Sequence, residues 1–105
     1  MVVDEADAIF RALADPTRRD ILATVLQEDH SVSDLASRYP MSFAAVQKHV
    51  AALERAGLVT KTRRGREQRV RGEVAAVRGV HGLLDELEAL WRRRIDRMGQ
   101  VLAEP

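Results

Sequence analysis

Three consecutive hydrogen-bonding side chains, Gln47, Lys48 and His49, lie in the segment MSFAAVQKHVAAL, residues 41–53, among small or apolar residues. Amide and imidazole groups can hydrogen-bond to base edges, and an ammonium group can bind a phosphate. Small neighbours would let the backbone approach a base pair closely. The segment therefore has what a DNA-reading helix needs. The alternative is an ordinary surface helix whose alanines serve helix propensity.

A basic segment follows directly, from Lys61 to Arg71. It contains six cations and one acid, Glu67, although the net charge of the whole chain is only +1. Acids collect instead at residues 4–7 and 85–88, so the charge is unevenly distributed. A solvated basic loop is the alternative reading. The position of the segment immediately after the candidate reading helix favours contact with a nucleic acid backbone.

Composition excludes several classes of protein. A chain of 105 residues corresponds to one domain, which we expect to cover residues 1–105. It has no cysteine, which removes disulfides, thiolate nucleophiles and thiolate metal ligands. No Ser/His/acid set lies on segments that form a cleft, and no phosphate-binding glycine loop is present, so we expect no enzyme. An acidic N-terminus and the lack of a long apolar run predict a cytoplasmic protein without a membrane partner.

Two helices are predicted before the candidate reading region. Residues 5–14 carry apolar side chains at helical spacing, and Asp15 followed by Pro16 supplies an N-cap and an N1 proline for a second helix. The buried stripe of that helix is expected to contain Ile21, Leu22, Val25 and Leu26.

The next two helices have the spacing of a helix-turn-helix. Ser31 and Asp34 resemble a capping box that opens a short helix, and Pro40 ends it. Ser42 can then cap the candidate reading helix, and Gly57 can end it. The apolar stripe of this helix is predicted to contain Phe43, Val46, Val50 and Leu53.

A hairpin and a long helix complete the chain. VTKTR and QRVR alternate in side-chain character on either side of a turn at Gly65, which predicts two short strands. A long helix is predicted from Leu83 onward, and its start between Glu73 and Leu83 is left open because Gly79 and Gly82 lie there. The expected fold class is therefore mostly α with a small β-hairpin that follows a helix-turn-helix; the resemblance described below implies that the whole is a winged helix-turn-helix.

The long helix carries an apolar stripe that is large for a chain of this size. We expect a second copy of the chain to cover it, although part of the helix can fold back onto its own domain. The stripe contains Leu84, Leu87, Leu90, Trp91, Ile95, Met98 and Leu102.

Four segments in order, ALADPTRRDIL, SVSDLA, MSFAAVQKHVAALERAGLV and KTRRGREQRVRG, resemble the ArsR family of bacterial winged-helix repressors over roughly residues 6–72. The resemblance implies a homodimer that binds a palindromic operator in double-stranded DNA and represses transcription, often of its own operon. It also implies that residues 42–55 read the major groove, that the hairpin is a wing, and that the first and last helices form the dimer contact.

The sequence departs from the family in two places. Where metal-sensing members often carry a cysteine pair, this chain has Ser31, Val32, Ser33 and Asp34. Gln47 stands where serine or threonine often occurs, so the operator sequence of a relative cannot be transferred.

Two sets of site residues follow from the helical arrangement of residues 42–53, from the basic segment and from the resemblance. The expected DNA contacts are Ser42, Phe43, Ala44, Ala45, Gln47, Lys48, His49, Arg64, Arg66 and Arg69. The expected dimer contacts are Ile9, Phe10 and Leu13 together with the stripe of the last helix.

Two alternatives to a DNA-binding repressor without cofactor or metal stay open. His81, Asp85 and Glu88 are spaced at i, i+4 and i+7, so a metal-responsive repressor could use them, although solvated acids on a terminal helix explain the same pattern. A winged-helix module that binds proteins and not DNA is the other. No effector site can be named from the sequence.

Overall fold

The computed structural model describes residues 3–103 and contains five helices and a three-stranded sheet within that range. The predicted order of helices and hairpin is confirmed, with one short strand in addition. The elements are α1 Val3–Leu13, α2 Pro16–Gln27, β1 His30–Ser31, α3 Val32–Ala36, α4 Phe43–Arg55, β2 Val59–Arg64, β3 Glu67–Gly72 and α5 Val74–Ala103.

The side-chain caps predicted for α2 and α4 are present. The Asp15 carboxylate accepts a hydrogen bond from the Arg18 backbone N–H at 3.1 Å, and Pro16 occupies the first turn of α2. The Ser42 hydroxyl accepts from the Ala45 N–H at 3.1 Å. Each cap satisfies one backbone donor that a helix start would otherwise leave unpaired.

The capping box predicted for α3 is only half formed. Ser31 Oγ accepts from the Asp34 N–H at 3.0 Å, as expected. The Asp34 carboxylate, however, lies 2.5 Å from Nδ1 of His30 and does not return to the Ser31 backbone. His30 and Ser31 form β1, which pairs with β3 through His30 and Val70. A two-residue strand is too short to show alternation, so the sequence pattern did not reveal it.

Helix α4 ends in a Schellman motif. Gly57 has a φ of +75°. Its N–H donates to the Glu54 carbonyl, and the Leu58 N–H donates to the Leu53 carbonyl, both at 3.0 Å. A left-handed residue is needed for this geometry, which is why glycine stands at the position after the helix. The chain therefore turns sharply from α4 into the hairpin.

The hairpin joins β2 and β3 through the two-residue loop Gly65-Arg66, with Arg64 paired to Glu67. Gly65 has a φ of +63°, and no residue other than glycine has a positive φ within the described range. Glycine at the first loop position is the arrangement that two-residue hairpin turns of type II′ require.

A single core contains residues of the first four helices, of the base of the sheet and of the start of α5. Two predictions about its members are wrong. Phe43 is 46% exposed and lies outside the buried stripe of α4, and Leu26 is 40% exposed on α2. Phe43 is the first residue of α4, where the helix has no preceding turn to pack it inward. The largest fully buried side chains are Ile21, Leu35, Val46, Val50, Leu53, Leu58, Val59 and Val70.

Helix α5 is 30 residues long and begins at Val74, so it runs through both Gly79 and Gly82. This sets the start that the sequence left open. At 1.5 Å per residue such a helix is about 45 Å long, and the described molecule measures 73 × 24 × 24 Å. Val80 is the one residue of α5 that is buried in the described part of the chain. The remaining length of the helix projects away from the core. No described helix is long and apolar enough to cross a membrane.

Candidate nucleic-acid interface

The turn between α3 and α4 is fastened to α2. The Tyr39 hydroxyl donates a hydrogen bond to Oδ2 of Asp20 at 2.6 Å, and the side chains of Tyr39 and Met41 pack against the core. Burial, and then the hydrogen bond to Asp20, raises the pKa of Tyr39 to about 12. The start of α4 is therefore held at a fixed position relative to α2.

The core determines which face α4 presents to solvent. Val46, Val50 and Leu53 are completely or almost completely buried. Residues of an α-helix follow one another at about 100°, so this burial turns Ala44, Gln47 and Lys48 outward, and all three side chains are exposed. Ser42 and Phe43 are exposed at the N-terminal end of the same helix.

Two residues assigned to this outward face lie elsewhere. Ala45 and His49 are half-buried. Nδ1 of His49 accepts a hydrogen bond from Nε of Arg18, on α2, at 3.2 Å. His49 comes three residues after Val46 and so lies closer to the buried stripe than to the face opposite it. His49, one of the predicted DNA contacts, therefore does not share the outward face with Lys48.

The sequence reasoning missed Arg55, which is exposed at the last turn of α4. Arg55 follows Ala44 by eleven residues and Lys48 by seven, a spacing that places all three along one line of the helix. The i, i+4, i+11 pattern was visible in the sequence.

The two strands of the hairpin have two distinct faces. Strand alternation and the pairing of Lys61 with Val70 and of Arg63 with Gln68 place these residues on one face. Nζ of Lys61 lies 3.5 Å from Oε1 of Glu54, so this face is directed toward α4. Arg63 is therefore the arginine of the hairpin on the same side as α4, and it was not among the predicted contacts.

The predicted hairpin contacts differ in their exposure and in their ion pairs. They are Arg64, Arg66 and Arg69. Arg64 and Arg66 are exposed at the tip and make no ion pair within the described residues. Arg69 is half-buried: Nη1 lies 3.5 Å from Oε2 of Glu67, and Nη2 donates to the Asp29 carbonyl at 3.3 Å. Arg69 therefore helps to attach the hairpin to the end of α2, and less of its hydrogen-bonding capacity is free.

The predicted dimer contacts are exposed, with two exceptions. Leu13 is half-buried against the core, and Ile9 is only 3% exposed. The assignment of Ile9 to a contact with a second copy does not hold, because its side chain lies in the core of the chain itself. The exposed members are Phe10, Leu84, Leu87, Leu90, Trp91, Ile95, Met98 and Leu102.

The residues of the metal alternative do not assemble a site. Nδ1 of His81 lies 3.3 Å from Oδ2 of Asp85, but the carboxylate of Glu88 pairs with Arg92. Within the range that the structure describes, no group of three or more histidine, cysteine, aspartate or glutamate residues could hold a metal ion.

Comparison with known proteins gives one consistent answer. Residues 15–61 match the model of the family described as bacterial regulatory protein, arsR family. An HTH-type transcriptional regulator of Bacillus subtilis, YuzN, is 40% identical over 67 residues, which cover 57% of this chain and 73% of YuzN.

Comparison with solved structures leads to the same family. An ArsR-like transcriptional regulator from Rhodococcus sp. RHA1 superposes with a TM-score of 0.83 at 39% identity, covering 96% of this chain and 94% of that one. The homodimeric winged helix-turn-helix DNA-binding domain of Mb0332 from Mycobacterium bovis, described as a possible ArsR-family regulator, superposes with a TM-score of 0.68 at 25% identity, covering 83% and 81%.

Titration of Tyr39 tests how the turn is fastened. Folding raises the pKa of this phenol from 10.0 to about 12, so its contribution to stability is complete below pH 10 and is lost as the pH rises toward 12. Because the chain has one tyrosine, ultraviolet absorbance reports this group alone. We expect a midpoint near 12, a lower midpoint in Asp20→Asn, and a loss of about 1 kcal/mol of unfolding free energy in Tyr39→Phe. A midpoint near 10 while circular dichroism shows the helices intact would contradict the contact.

Proposed function

Because the chain belongs to the ArsR family of bacterial regulatory proteins, we propose that this DNA-binding transcriptional regulator is a homodimeric repressor of a two-fold symmetric operator. Residues 1–105 act in this proposal as one unit that combines DNA binding with dimerisation. Its place of action is the cytoplasm, where bacterial operator DNA lies.

The observation that carries the proposal is the outward face of α4 beside the basic hairpin. An α-helix with its side chains is about 10–12 Å wide, and the major groove of B-DNA is about 12 Å wide. Ala44 and Lys48 are exposed along α4 and are not directed into the core. The helix can therefore enter the groove without first disrupting its own packing.

The residues of α4 divide between bases and backbone. Gln47 can donate and accept together, as an amide must to read an adenine edge, and the small Ala44 lets the helix axis approach the bases. Ser42, Phe43 and the half-buried Ala45 line the start of the helix beside them. Lys48 carries a charge on the same exposed face and is assigned to phosphate. His49 is assigned a positioning role through Arg18, with any DNA contact limited to its free ring nitrogen.

The hairpin supplies sequence-independent affinity. Arg64 and Arg66 have no acidic partner in the described structure, so phosphates can replace water around their guanidinium groups. Arg63 joins them on the side that faces α4, whereas Arg69 contributes less because Glu67 and Asp29 already engage it.

The homodimer is proposed from the exposed apolar face of α5. Leu87, Trp91, Ile95 and Met98 are each about half exposed and recur along one side of a projecting helix. A continuous apolar surface of this kind is costly to leave in water, and a second copy supplies a matching one. Two-fold pairing gives two reading helices for two half-sites. A dimer seated on a promoter excludes polymerase, which is why we propose repression.

Substitutions in the reading helix and the hairpin should have different effects. Arg66→Gln removes one phosphate contact, so we expect the affinity to fall equally for all DNA sequences. The slope of log affinity against log salt concentration should decrease in magnitude by about one. Gln47→Ala removes a base contact, so we expect a changed preferred sequence. Selection of binding sites from random duplexes, followed by titrations at two salt concentrations, measures both.

Arg78→Gln is the matched control, because Arg78 is exposed on α5 and belongs neither to α4 nor to the hairpin. It should leave affinity and sequence preference unchanged. If Arg66→Gln and Gln47→Ala selected identical DNA sequences, the division of roles would be refuted. If the wild-type chain bound duplex DNA with no dependence on salt concentration, phosphate contact itself would be refuted.

Dimerisation and DNA binding should be lost together in Trp91→Glu. A carboxylate at the centre of the apolar face would be buried without a partner, so we expect the dimer dissociation constant to rise at least about 100-fold. Gln100→Glu adds the same charge on the opposite side of α5 and is the control. Sedimentation velocity and operator titration are the two measurements, and an intact dimer of Trp91→Glu would show that another surface joins the copies.

A further inference from the structure

Three arginines from three different helices line one groove at the edge of the outward face of α4. They are Arg11 of α1, Arg18 of α2 and Arg55 of α4. The groove has a volume of about 230 Å³, and its remaining lining consists of small side chains, which leave the space between the guanidinium groups open. These are Ala8, Ala12, Ala52 and Ala56.

The groove lies to one side of the base-reading residues. Ala52 and Ala56 are half-buried and continue the line of α4 that contains Ala45 and His49. Gln47, in contrast, lies on the other side of the exposed face. The proposed roles of Gln47 and of the hairpin therefore leave this groove unused.

The three guanidinium groups have no carboxylate partner among the described residues, since no acid lies within 4.0 Å of any of them. Glu54, next to Arg55, pairs instead with Lys61 at 3.5 Å. Asp15 accepts the backbone N–H of Arg18, and this hydrogen bond is the main reason why its pKa is lowered, but Asp15 does not line the groove. None of the three guanidinium groups is paired with a carboxylate, and an anion in the groove would relieve their mutual repulsion.

Arg18 is also held in place. Its Nε donates to Nδ1 of His49 at 3.2 Å, and its Nη1 donates to the Arg11 carbonyl at 3.4 Å. Neither acceptor is a carboxylate, so the two contacts order the guanidinium without pairing its charge. An ordered guanidinium loses less entropy on binding an oxyanion than one on a free side chain.

We propose that the groove binds a phosphate group or another small oxyanion. Arg18 supplies the fixed donor, Arg11 and Arg55 close on the anion from the two neighbouring helices, and the alanines leave room for the molecule that carries it. The occupant would link α1, α2 and the reading helix. Its charge could come from a small solute or from a DNA phosphate, and the experiment separates these sources.

The first experiment uses the free protein, so its result does not depend on the proposed DNA binding. Inorganic phosphate is titrated into the isotope-labelled full chain at constant ionic strength, with sodium chloride as a parallel series, and backbone amide resonances are followed. We expect saturating shifts at Ala8, Ala52 and Ala56 with phosphate and not with chloride.

Variants assign the site. Removing one guanidinium from a charge-assisted set should weaken phosphate binding about tenfold in Arg11→Gln and in Arg55→Gln. Ala52→Glu places a carboxylate in the groove and should abolish the shifts, while glutamate remains a good helix former. Arg78→Gln should leave the affinity unchanged. Circular dichroism of each variant checks that the helices persist.

Three results would overturn the site. These are no phosphate-dependent shift at the groove, an equal shift with chloride, and shifts that persist in Ala52→Glu with its helices intact.

The source of the anion is read from DNA titrations of Arg11→Gln. A loss of DNA affinity, with free phosphate competing against duplex, assigns the groove to the DNA backbone. Unchanged DNA affinity together with lost phosphate binding assigns it to a small solute. Either result supports an oxyanion site. Failure of the DNA-binding proposal would appear separately, as absence of salt-dependent duplex binding by the unchanged chain.

Discussion

The orientation of the reading helix depends on the burial of three side chains of α4. Val46, Val50 and Leu53 fit into the core formed by the other helices and the base of the sheet. Burying a side chain of this size stabilises the fold by about 1.5–3 kcal/mol. A rotation of α4 by one residue would expose part of this set and bury Gln47. Core packing, and not the polar residues themselves, therefore decides which atoms α4 offers to a partner.

The second constraint comes from what the core does not cover. Helix α5 contributes Val80 to the interior and then continues for more than twenty residues with its apolar side exposed in the described range. The same helix that completes one core thus carries the surface proposed to join two chains. Helix α5 therefore contributes both to the core and to the proposed dimer surface, and helix α4 contributes both to the core and to the proposed DNA-binding surface. The groove of Arg11, Arg18 and Arg55 lies where α1 and α4 meet, so an anion there would act on the position of the reading helix.

Much of this architecture could be predicted from sequence, because its signals are local. The caps at Asp15, Ser31 and Ser42, the left-handed Gly57 and the alternating hairpin each depend on a few neighbouring residues. Contacts between distant segments could not be predicted. The two residues of β1 become a strand only beside Val70, and the hydrogen-bond donor to His49 is Arg18, thirty-one positions away. The arginine groove is lined by residues of three helices, so no spacing pattern within one segment could predict it. The side of the hairpin that faces α4 was readable in principle from the alternation of Arg63 and Arg64.

The central claim is that two copies hold two outward faces of α4 at the spacing of successive major grooves. The chain lacks cysteine, so Ala44→Cys provides one spin-label site on each copy, and the distance between the two labels can be measured by pulsed electron paramagnetic resonance on the free dimer, where the label does not obstruct DNA. We expect a single distance of roughly 34 Å between the two labels, which is one turn of the duplex. Absence of dipolar coupling, or a distance far from that spacing, would contradict it.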